Sequence, residues 1–178
     1  REHELNGLQF WLALPPEKAE IEPSFQHVKK EQLPHYHLEK TIMRLVAGEA
    51  YGMTSPVRTH SPMFFIDIIS AAGEQIELPH PQYESAVYIQ SGSLNISGQS
   101  FNAGDFILLD GDEIIQPESH SRFVLLGGER YEQVPYIRWN FVAYSRERIA
   151  QAEADWQAQR FAKVPGDERE YTPLPGKK

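Results

Sequence analysis

Seven histidines carry most of the chemistry that this sequence can offer: His3, His27, His35, His37, His60, His80 and His120. An imidazole can ligate a metal or move a proton near neutral pH. His35-Tyr36-His37 is the one His-x-His pair, and an extended backbone would turn both rings to one face. A metal site needs about three or four such donors. No third candidate stands near the pair at a usual spacing, so it reads as part of a polar linker after Pro34. His80 and Glu84 precede an apolar run. Asp110, Asp112 and Glu113 cluster their carboxyls in a stretch too short to wrap a calcium ion, and read as a solvated hairpin turn. His60 and Asp67 could pair, but no nucleophile beside them completes a hydrolytic triad.

Composition removes other chemistries. With no cysteine there is no disulfide, zinc finger or thiolate nucleophile. The glycine-rich signatures of dinucleotide and phosphate sites are absent, as is the nucleophile-elbow pattern. Lys and Arg number 17 against 25 Asp and Glu, a net charge of −8. That balance is unsuited to a nucleic-acid backbone, so no such partner is expected. No apolar run approaches the roughly 18 residues of a membrane span. No signal peptide is expected, and a cytoplasmic protein is the expectation.

The elements that would position these residues are mostly strands. Short apolar runs alternate with Gly and Pro, which predicts an all-β double sheet of the jelly-roll type. Strands are expected over Leu8–Leu14, Thr41–Ala47 (closed by Gly48), Met63–Ile69, Ser85–Gln90, Leu94–Ile96, Phe106–Leu109, Glu113–Gln116, Phe123–Leu126 and Tyr136–Tyr144. Asp110-Gly111 reads as a tight hairpin turn. A helix should run from Ser145, a good N-cap, to Arg160. It would bury Ile149, Ala152 and Trp156 and leave Arg146, Glu153 and Gln157 outside. Trp11, Trp139 and Trp156 are expected in the core.

This spacing resembles a cupin, a fold that keeps its metal on two short motifs. Aligned on Gly92, the glutamate of the first motif falls on Ser85. Its two histidines fall on Leu78 and His80, or on Pro79 and Pro81 in the shorter spacing. Aligned on Gly104, the proline, glycine and histidine of the second motif fall on Asp110, Asp112 and Ile115. At most one ligand position holds a ligand. Glu84 is one residue out of register, which in a strand turns it to the opposite face. The pattern predicts a metal-free cupin in which His80 is a loop histidine capped by backbone or solvent.

Longer stretches resemble the pirin family. They are Gly7-Leu-Gln-Phe-Trp-Leu-Ala-Leu-Pro15, Ile21-Glu-Pro23, Ala47-Gly-Glu-Ala-Tyr-Gly52, Leu125-Leu-Gly-Gly-Glu129, Trp139-Asn-Phe-Val142 and Arg146-Glu-Arg-Ile149. The resemblance implies a bicupin whose first domain holds iron, or another divalent transition metal, on three His and one Glu. Some members resemble quercetin 2,3-dioxygenases and others transcription cofactors. Only a few residues precede the Gly7–Trp11 motif, and Arg1-Glu2-His3-Glu4 lacks the His-x-Glu expected there. The expectation is therefore the C-terminal half of such a protein. Residues 1–20 would be an inter-domain strand belonging to the missing cupin, 21–40 a linker, 41–144 a metal-free cupin, and 145–178 a helix and tail.

On that reading this chain carries no catalytic, cofactor or metal residue of its own and is inactive alone. The metal resides in the missing N-terminal cupin. The apolar faces of Leu8, Phe10, Trp11 and Leu12 would be covered by that half or by a second copy. Two other readings remain open. One is a non-enzymatic protein-interaction or transcription-cofactor-like module. The other is a stand-alone cupin with a deep apolar ligand pocket lined by Phe64, Ile66, Val87 and Ile89.

Overall fold

The computed structural model describes residues 7–167 and 169–176; His3 lies outside them. The chain forms two compact units: Glu22–Arg130, and a smaller one drawn from both termini, ending at Ile21 and resuming at Tyr131.

The larger unit is built from antiparallel strands. In order they are β1 His35–Leu38, β2 Thr41–Ala50, β3 Met53–Thr54, β4 Met63–Ser70, β5 Ile76–Glu77 and β6 Glu84–Ser91. Then come β7 Ser93–Ile96, β8 Gln99–Asn102, β9 Phe106–Leu109, β10 Ile114–Pro117 and β11 Ser121–Gly128. One sheet runs β1-β2-β4-β11-β6-β9 with β3 attached to β2, and the other runs β5-β10-β7-β8. Period-two alternation decides which side faces in. On β4, Phe64, Ile66 and Ile68 have no solvent exposure, while Met63, Phe65, Asp67 and Ile69 between them are half-buried. The inward set of β2, β4, β6, β7, β10 and β11 forms one continuous apolar core. The expected jelly-roll cupin is present.

Several local expectations need correction. Gly48 does not close β2. It sits at φ +78° after a register shift between Leu45 and Ala47, and the strand continues to Ala50. A glycine in the left-handed region can mark a bulge as readily as an end. Asp110-Gly111 is not a hairpin, because β9 pairs with β6 while β10 pairs with β5 and β7. The chain crosses between sheets there, since Leu109 and Ile115 both reach the shared core from opposite sides. His35–Leu38, expected as linker, is a strand paired to Thr41–Arg44.

In the smaller unit, Tyr136–Tyr144 is not one strand. β12 Tyr136–Arg138 and β13 Phe141–Ala143 pair as a hairpin, with Trp139 at φ +50° in the turn. Leu8–Leu14 joins no ladder among the described residues. A strand needs a neighbour to take its backbone groups, and here the tethers are side chains instead. The Tyr131 hydroxyl donates to Ala13 O at 2.9 Å and the Tyr144 hydroxyl to Leu14 O at 2.6 Å.

The helix α1, Arg146–Gln157, starts as expected, with the Ser145 hydroxyl accepting from Arg148 N at 3.1 Å. Ile149 and Ala152 are buried, and Arg146 and Gln157 are exposed. Glu153 is half-buried, not outside, because it accepts from Arg138 Nε at 3.1 Å. The tryptophans are not core residues. Trp11 is 58% exposed. Trp139 and Trp156 are half-buried, their rings 5.2 Å apart in a cluster with Phe141, Phe161 and Tyr171. An indole keeps its N–H near a polar partner, and Trp156 Nε1 donates to Thr172 O at 2.8 Å. Trp156→Ala should therefore cost about 1.5–3 kcal/mol, below the range for a wholly buried aromatic, as read from denaturant midpoints.

Gly48 supplies a sharper test. An added Cβ would lie 1.8 Å from the Met63 carbonyl oxygen, whereas at Gly98 (φ +82°) it would meet nothing within 4 Å. Gly48→Ala should destabilise by about 2–4 kcal/mol and Gly98→Ala by about 1 kcal/mol, the left-handed penalty alone. Equal losses by chemical denaturation would refute the close strand approach.

Candidate functional site

Apart from His80, the positions where a cupin would hold a metal are occupied by groups that cannot. Ile115 is fully buried and Leu78 is 7% exposed, both within the core cluster. Ser85 is buried, its hydroxyl donating to Tyr83 O at 3.3 Å. Glu84 points the other way and pairs with Arg130 Nε at 3.4 Å on the surface. A divalent ion among these side chains would lose its hydration and gain almost no donors. The residues present do not fit a metal. No group of three or more His, Cys, Asp or Glu is placed to hold one among the described residues.

The other sequence candidates are scattered. His35 and His37 are exposed on β1, and His35 Nε2 accepts from Arg44 Nε at 3.0 Å. His27 and His120 are exposed. Asp67 does not serve His60. It receives Arg122 through two nitrogens, each at 3.0 Å, and Arg44 Nη1 at 3.3 Å. The Asp67 carboxylate holds the Arg122 guanidinium pKa above its ordinary value. Phe64, Ile66, Val87 and Ile89 line no pocket; all four are packed into the core without exposure. A deep apolar ligand pocket at those residues is thereby excluded.

Glu113 is a structural acid. Its carboxylate accepts from Asp110 N at 2.6 Å and Gly111 N at 2.8 Å, closing the crossing between the two sheets. Burial pulls its pKa up, but the backbone amides of Asp110, Gly111, Glu113 and Asp112 together hold it below the usual carboxylate value.

A concavity lies in the larger unit where β2 ends and β4 begins. This half-open cleft of about 350 Å³ is lined chiefly by Glu49, His60, Ser61, Met63, His80 and Tyr83. The Tyr83 N–H donates to His80 O at 3.0 Å, a turn that brings the two rings to 4.7 Å. Phe64 backs them from the core, at 6.0 Å from His80 and 6.4 Å from Tyr83. His80 Nε2 lies 3.1 Å from Glu49 O, so His80 is capped by backbone. Glu49 and Tyr83 escaped the sequence reading. Tyr83, three residues past His80 in a Pro-rich turn, was the available signal.

Residues 65–162 match the Pirin C-terminal cupin domain. A pirin-like protein of Caulobacter vibrioides is 38% identical over 98% of this chain. The chain belongs to the pirin family. Human pirin is 28% identical over 88% of the chain. The solved structure of quercetin 2,3-dioxygenase from Acinetobacter baumannii superposes over 94% of the chain with a TM-score of 0.83 and 28% identity. This pirin chain spans only part of each: 62% of the Caulobacter protein, and 57% of both human pirin and the dioxygenase chain. No helix among its described residues is long and apolar enough to cross a membrane.

The Glu113 carboxyl yields a pH prediction. Because its folded pKa is depressed, its stabilisation is present above the unfolded carboxyl value and is lost as pH falls through the folded one. Glu113→Gln should destabilise the protein at pH 7. The gap from wild type should shrink as the wild-type carboxylate becomes protonated. A gap constant from pH 7 down to the acid transition would refute the backbone cage.

Proposed function

We propose that this chain is the C-terminal, metal-free cupin of a two-cupin pirin whose full-length parent is a metal-dependent oxidoreductase of the quercetin 2,3-dioxygenase type. The observation that carries this is a pairing. The chain shares its fold with 57% of a quercetin 2,3-dioxygenase, while its own ligand positions hold Leu78, Ser85 and Ile115 in a packed interior. Metal and flavonol chemistry then belong to the other half of the parent, and this half is structural. The cofactor is iron or another divalent transition metal held in the N-terminal cupin, in a cytoplasmic protein.

The segment that opens this chain supports the division. Leu8, Phe10, Trp11 and Leu12 are 44%, 40%, 58% and 60% exposed. Leaving four such side chains in water forgoes roughly 1.5–3 kcal/mol each if fully buried elsewhere. Their cover is the N-terminal half, or failing that a second copy. The same patch favours a second reading, a protein-interaction or transcription-cofactor-like module without turnover.

Metal analysis and quercetin turnover of the full-length protein and of this chain separate the readings. The parent should hold about one ion and consume quercetin with O2, and this chain should do neither. A full-length protein that holds metal without turning over any flavonol would favour the interaction module. Stoichiometric metal in this chain would overturn both readings. Light scattering of this chain should show dimers or a co-purifying polypeptide. A clean monomer with Trp11 shielded from quenchers would refute the external cover.

A further inference from the structure

The cleft between the end of β2 and the start of β4 is half-open, and none of its features serves the proposed division of labour. Its floor is rigid. Gly48 lets the β2 backbone press against Met63 O so closely that no Cβ fits, and Glu129 N donates to Pro62 O at 3.1 Å. One wall is aromatic, with His80 and Tyr83 at 4.7 Å and Phe64 fixing both from the fully buried core. Glu49 is an exposed residue of the lining, and apart from His60 and His80 no basic side chain lines the cleft among the described residues. Glu84 nearby is neutralised by Arg130. The volume, about 350 Å³, falls at the small end of ligand clefts.

An aromatic wall beside carboxylates selects by charge. The Tyr83 ring face carries negative potential and attracts cations, and the carboxylates add to it. The same field is felt by the Tyr83 phenol, whose pKa is raised by burial and then by Glu129 and Glu49. Anions are disfavoured for the same reason. We propose that this cleft binds a small organic cation, an alkylammonium or quaternary ammonium group, against the Tyr83–His80 wall with Glu49 as its counter-charge. The site is independent of the metal chemistry assigned to the parent, and it gives the second cupin a ligand of its own.

The test is an amide NMR titration of this chain with tetramethylammonium chloride and with butylammonium chloride, against sodium chloride at equal ionic strength. Sodium acetate and glycerol serve as anionic and neutral controls. Saturable shifts should appear at residues 48–49, 60–63 and 80–83 for the ammonium salts alone, with a Kd of about 1–10 mM. Glu49→Gln and Tyr83→Leu should each weaken binding at least about 3-fold, while Tyr83→Phe, which keeps the ring, stays within about 2-fold of wild type. No saturable shift beyond sodium chloride would overturn the site. Acetate or glycerol binding as well as the ammonium ions would overturn its charge selectivity. If Tyr83→Leu fails to fold, the exposed Glu49→Gln decides: unchanged ammonium affinity there overturns the proposal.

Discussion

Everything in the larger unit depends on one shared apolar interior. Two sheets of unequal width must bury the inward faces of their strands against each other, and Met43, Leu45, Phe64, Ile66, Ile89, Leu94, Ile115, Phe123 and Leu125 do so with essentially no exposure. A metal-binding cupin interrupts such an interior with imidazoles and a carboxylate, held by the charge they share. Once the ion is gone those polar groups would be costly to bury unpaired. Leu78 and Ile115 stand at two of the corresponding positions here and belong to the packed core.

The polar groups that remain in or near the interior are all satisfied. Thr41 and Ser70 share a hydrogen bond between their hydroxyls, and Ser121 is bonded to Ser93 O at 3.0 Å. The Ser55 hydroxyl donates to Val46 O at 2.7 Å where β2 is irregular. No buried side-chain nitrogen or oxygen lacks a partner among the described residues. On the outer face of the wider sheet, Asp67 ties β2, β4 and β11 together through Arg44 and Arg122. These groups lock strand register. The chemistry left over is displaced to the rim, where the cleft with His80 and Tyr83 lies.

The smaller unit follows a different logic. Ile149, Ala152 and Ala143 are buried in it, and an aromatic cluster around Trp156 fastens the tail to α1. Its opening segment, residues 7–15, is tethered by tyrosine hydroxyls to carbonyls and presents large apolar side chains outward.

Much of this was legible in the residues themselves. Period-two alternation located most strands and the Ser145 cap began the helix, because each depends on residue type at a local spacing. What tertiary structure decided were the choices between partners. Gly48 could end a strand or bend it, and only the approach of Met63 made it a bulge. Asp110-Gly111 could turn a hairpin or cross between sheets, and the core contacts of Leu109 and Ile115 chose the crossing. Leu8–Leu14 has the composition of a strand, but a strand exists only where a neighbour accepts its backbone. Glu49 and Tyr83 lie more than thirty residues apart, and no local pattern could announce that folding would set them around one cleft.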